Sequence, residues 1–113
     1  MAKDDYYVIV YKILAYLYAR LKEDEKIDVR LIAHDSPTLD IKKGYWTYII
    51  EHMWKQGFIE GIDVAYGIWD YPEIVGLEYM KITPDGIGYL LDNNLLAKAK
   101  KLLKDMKEIN PFV

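Results

Sequence analysis

A chain of 113 residues, 52% hydrophobic and 29% charged, is long enough for one hydrophobic core and has the composition of a soluble globular domain. The absence of cysteine excludes a disulfide frame, a thiolate metal site and a cysteine nucleophile. A formal net charge of −3 argues against a general nucleic-acid coat. Lys12, Arg20 and Lys22 interrupt the N-terminal apolar run before it could span a membrane, so a cytoplasmic location is expected.

Residues 4–23 carry Tyr7, Val10, Tyr11, Leu14, Leu17, Tyr18 and Leu21 at helical spacing, with Asp4 and Asp5 at the positive end of the helix dipole. A second stripe, Tyr6, Ile9, Ile13 and Tyr16, makes this helix apolar on more than one face. It predicts either cover by strands and the C-terminal helix or a dimer contact. Tyrosine suits both, because its ring can be buried while its hydroxyl stays wet. In IDVRLIA, Ile27, Val29 and Leu31 alternate with Asp28 and Arg30, a period that predicts a half-buried strand. Ser36-Pro37 has the cap-then-proline form of a short helix start.

The stretch 39–61 is the centre of the pattern. Trp46, Ile49, Ile50 and Met53 fall on one face of a helix over 43–56, and Gly57 supplies the left-handed stop. Its start is chemically poor, because Lys42 or Lys43 stands where a serine, threonine or aspartate cap is expected. From Phe58 to Tyr66 the period becomes strand-like. Gly67 and Gly76 then bracket a loop, IWDYPEIV, and Leu77–Ile82 reads as the returning strand. Thr83-Pro84 opens a helix running to about Asn93, with Gly86 and Gly88 expected to permit close packing against the sheet. From Leu95 a last helix puts Leu95, Leu96, Ala99, Leu102, Leu103 and Met106 on one side and Lys98, Lys100, Lys101, Lys104 and Lys107 elsewhere, ending at Pro111.

This order predicts an α+β winged helix-turn-helix: a three-helix core, a small antiparallel sheet with a wing hairpin, and C-terminal helices. One domain is expected over 1–113, with a C-terminal helical extension at about 84–109. Tyr45-Trp46 with Ile49 and Ile50, Gly57-Phe58-Ile59 with Gly61, Ile82-Thr83-Pro84-Asp85-Gly86-Ile87 with Tyr89-Leu90, and the lysine-rich AKAKKLLKDMKEI together resemble the YjcQ-like family of phage-associated winged-helix proteins of uncharacterised function. The resemblance covers about Tyr6 to Ile109. It implies the fold and a phage or prophage setting, and it carries over no catalytic residues.

Enzyme signatures are absent from the sequence. Ser36, the one serine, precedes a proline as a cap, and His34 and His52 are too few to frame a zinc site without cysteines. No catalytic residue, cofactor or metal is therefore expected, and His52 reads as a residue at the edge of the core stripe. For a winged helix the first expectation is duplex DNA, with the helix at 43–56 in the major groove. Its outer face would carry Lys42, Lys43, Tyr45, Thr47, Tyr48, Glu51 and Lys55: lysines for phosphates, Thr47 and the tyrosine rings for base edges. The same residues also read as an ordinary solvated helix face.

The wing points elsewhere. No Lys or Arg occurs between Gly57 and Met80, whereas Glu60, Asp63, Asp70, Glu73 and Glu78 are acidic, so a phosphate backbone would repel it. Its expected tip, Tyr66, Ile68, Trp69 and Tyr71, is aromatic and apolar, as in a protein-contact hot spot, unless Trp69 folds back onto the sheet. The alternatives are a regulatory DNA-binding protein of a phage or prophage, and a winged helix reused to bind a phage or host protein. A homodimer through the terminal helices is a separate expectation.

Overall fold

A computed structural model describes residues 5–67, 69, 71–92, 95, 97 and 98. Helix α1 (Tyr6–Lys22) starts at Asp5, whose carboxylate accepts from the Tyr6 amide. Both sequence stripes are used: Ile9, Ile13 and Tyr16 are buried as deeply as Val10, Leu14 and Leu17. Cover comes from α2 (Lys43–Lys55), α3 (Pro84–Leu91) and strand β4 (Lys81–Ile82), all of which pack on α1. Within the polypeptide this accounts for the two-sided apolar pattern. Burying each such aliphatic side chain stabilises the fold by roughly 1.5–3 kcal/mol before entropy is counted. Leu21 is the exception on the first stripe and is exposed.

The strand expected at Ile27–Ala33 is not formed. Asp28 accepts from the Arg30 amide and pairs with the Arg30 guanidinium at 2.8 Å, which closes a 3₁₀ turn at Val29–Leu31. An aspartate bonding the backbone two residues on is a local competitor of the strand ladder, and here it wins. The Ser36-Pro37 signal yields one turn only. Ser36 Oγ accepts from the Leu39 amide, and Asp40 at φ +46° turns the chain toward α2.

Helix α2 packs Trp46, Ile49, Ile50 and Met53 into the core. Trp46 Nε1 donates to the Ile32 carbonyl at 2.8 Å, tying the helix to the turn before it. Gly57 at φ +78° ends the helix through the amide of Phe58, which donates to the Met53 carbonyl. The chain beyond is not one hairpin with a long loop. Strand β1 (Ile59–Glu60) pairs with β4, and β2 (Asp63–Tyr66) pairs with β3 (Pro72–Val75), both antiparallel. The returning strand of the wing thus begins at Pro72, inside the segment expected to be loop, while Leu77–Tyr79 forms a 3₁₀ turn and not a strand. Pro72 is compatible because it occupies the first position of its strand.

Helix α3 starts as expected. Thr83 Oγ1 accepts from the Gly86 amide and donates to the Gly57 carbonyl, joining the start of one helix to the end of another. Gly86 does permit close packing, since a Cβ there would lie 2.1 Å from the Phe58 carbonyl oxygen. Gly88 does not serve that purpose and faces open space. α3 ends at Leu91, before the expected Asn93. Leu95 is buried in the same core, and Lys98 Nζ lies 4.3 Å from the centre of the Tyr7 ring. The expected helix beyond residue 98, with Lys100, Lys101, Lys104 and Lys107, lies outside the described residues. Among the described residues, no helix is long and apolar enough to cross a membrane.

Candidate recognition surface

Two surfaces were singled out from the sequence, and the structure brings them into contact. The hairpin β2–β3 lies against α2. Its register, Val64↔Ile74 and Tyr66↔Pro72, puts these four residues on one face, while Asp63↔Val75 and Ala65↔Glu73 share the other. Val64 is buried and Ile74 packs against the core, so the first face is the one turned to the helix. At its outer end the Tyr66 hydroxyl donates to Glu51 Oε2, and Lys55 Nζ stands 3.4 Å from the same oxygen. The Tyr66 bond, followed by Lys55, holds the Glu51 carboxyl below the usual carboxylate range, and the Tyr66 hydroxyl is pushed up by the same bond.

This contact corrects the expected outer face of α2. Thr47 and Glu51 are each only 8% exposed, and Thr47 Oγ1 donates to the Lys43 carbonyl one turn back. For Glu51 the reason is tertiary, because Tyr66 of the wing reaches it, and Thr47 lies one turn back on the same side of the helix. Lys42, Lys43 and Lys55 are exposed and Tyr45 is half-buried. Tyr48 is 54% exposed, with its ring against that of His52 at 4.1 Å. His52 Nδ1 lies 2.8 Å from the Tyr48 carbonyl, which accepts from it. Lys42 is the N-cap residue and makes no side-chain capping bond, as the sequence indicated.

The wing tip stands clear of the body. Trp69 is 81% exposed and Tyr71 76%, so Trp69 does not fold back to close the core. Tyr66 is half exposed although its hydroxyl is engaged, and Ile68 lies outside the described residues. Exposed Glu60, Asp63, Glu73 and Glu78 surround the base and outer face of the hairpin, and Lys81 lies opposite Glu60 in the β1–β4 ladder. The contact between Tyr66 and Glu51 is what sequence reading missed. A glutamate with a lysine one turn on, and a tyrosine on a strand fifteen residues later, give no local sign that the glutamate and the tyrosine meet.

With three helices among the described residues packed about one core and a small antiparallel wing hairpin on the second of them, the architecture is that of an α+β winged helix. The family model described as "YjcQ protein" matches residues 11–109, and the chain belongs to that family. No curated protein and no solved structure matches it.

Proposed function

We propose that this YjcQ family protein is a non-enzymatic recognition module whose wing tip docks a partner protein. The observation that carries the reading is the pair of exposed aromatic rings, Trp69 and Tyr71, at the end of a hairpin lacking any Lys or Arg. Large rigid aromatic side chains give much contact area at small entropic cost, which is why they dominate protein-contact hot spots. An acidic base would be repelled by phosphate, so the wing is unsuited to following a nucleic-acid backbone. The test is affinity capture from lysogenic or phage-infected cells with the wild-type chain and the Trp69→Ala/Tyr71→Ala variant side by side. A specific partner lost with the variant supports the reading, and identical recovery by both overturns it.

A second reading, a regulatory duplex-DNA-binding protein of a phage or prophage, is favoured by the exposed Lys42, Lys43, Tyr48 and Lys55 on the uncovered part of α2. The burial of Thr47 and Glu51 takes two of the seven anticipated contacts out of reach unless the wing moves. Duplex binding measured at low and at physiological salt decides this reading. Binding that weakens with salt and with Lys42→Glu/Lys43→Glu supports it, and no binding at low salt removes it. Either role belongs in the cytoplasm.

A further inference from the structure

An open cleft of about 740 Å³ lies at the C-terminal end of α1, between that helix and the segment joining the wing to β4. Leu21, nearly half exposed, and Tyr79, largely exposed, line it together with buried Met80. Asp24, Glu25 and Glu78 place carboxylates around it. Of the cations there, Arg20 Nε donates to the Tyr16 hydroxyl at 3.2 Å and Lys81 faces Glu60 across the ladder, with Lys26 the third. The surface continues onto the wing at Gly76, where a Cβ would lie 3.4 Å from the Tyr79 ring, and then onto the outward face that carries Asp63, Glu73 and Val75. The cleft itself carries three carboxylates and three cations, and with Asp63 and Glu73 of the wing the border holds five carboxylates to three cations around an apolar floor. Such a groove accepts an amphipathic segment with basic side chains.

The chain carries a segment of that description. Residues 99–109, AKKLLKDMKEI, combine Leu102, Leu103 and Met106 with Lys100, Lys101, Lys104 and Lys107, which outnumber Asp105 and Glu108 four to two. It follows directly on Lys98, which sits over Tyr7 at the N-terminal end of α1. The cleft is at the opposite end of that seventeen-residue helix, about 25 Å away at 1.5 Å per residue. Two copies set antiparallel would each deliver this segment to the other's cleft, a reciprocal contact that closes on itself. We propose that the cleft and the adjoining wing face bind residues 99–109 of a second copy, forming a two-fold dimer. This contact is separate from the docking of Trp69 and Tyr71, and either can fail without the other.

Sedimentation equilibrium of the full chain tests it, using Glu73→Lys/Glu78→Lys as one variant and Lys100→Glu/Lys101→Glu as the other. The wild-type mass rises with concentration from 13.3 kDa toward twice that value, less readily at high salt. Each variant alone remains a monomer, because like charges then meet at both contacts. An equimolar mixture of the two variants recovers the dimer, since both contacts again join opposite charges. Glu73 and Glu78 are exposed, so an unchanged circular dichroism spectrum is expected of the first variant. A concentration-independent wild-type monomer at low salt overturns the proposal. So does a dimer that survives in both variants alone, or a mixture that fails to associate.

Discussion

Trp46 shows how one residue serves both packing and order. Its ring fills the core beneath α2 while its Nε1 satisfies the Ile32 carbonyl, so an irregular turn is fixed to a regular helix by one buried bond. Replacing it with phenylalanine keeps most of the apolar area and strands that carbonyl. Trp46→Phe is expected to lower the unfolding free energy by about 1–3 kcal/mol, measured by urea denaturation. Thr83 has a similar double role, capping α3 and donating to the end of α2. Thr83→Ala is expected to cost about 1–2 kcal/mol in the same measurement, while Thr83→Ser should recover most of the loss. Lys12 is the least expected core residue. It is buried on α1 with its Nζ donating to the Thr38 carbonyl at 3.1 Å, although its charge marked it in the sequence as a break in the apolar run.

Among the elements, most of those set by local chemistry were readable, one local turn was not, and those set by distant contacts were not. The apolar stripe of α2, its glycine stop and the threonine-proline start of α3 are all short-range signals, and each element formed close to where they place it. The turn at Val29–Leu31 was misread because alternation in five residues cannot be told from a capped turn without knowing what Asp28 bonds. The wing was misread because its glycines bracket β3 as well as the tip, and pairing register is set by the partner strand. The cover that the wing gives α2 had no sequence signal at all. This cover depends in part on Tyr66 and Glu51. Tyr66→Phe is expected to speed hydrogen exchange in β2 and β3 while leaving α1 unchanged, and equal exchange in all elements would count against it. The pH dependence has a definite sign. Glu51 is lowered from its ordinary 4.5, so its contribution is complete above that value and is lost as pH falls through the depressed one. Tyr66 is raised from 10.0, so its contribution is complete below that value and is lost as pH rises through the raised one. Wing protection should therefore be flat near neutrality and decline at both extremes.

Over the whole molecule, the net charge of −3 conceals a division. The stretch from Gly57 to Met80 is acidic throughout, while lysines gather at the start of α2 and in the C-terminal segment. The sequence revealed this division but not its consequence, which is that the acidic hairpin lies across the helix that a winged-helix fold would present to DNA. This is why we propose that recognition lies at the tip beyond that contact and not on the helix beneath it. Site-specific photocrosslinking compares the two directly, with benzoylphenylalanine placed at Tyr71 in one protein and at Tyr48 in another, both exposed positions. After irradiation in lysogenic or infected cells, a defined protein adduct is predicted from position 71 and none from position 48. Adducts from position 48 alone, whether to protein or to DNA, would contradict the assignment of recognition to the wing.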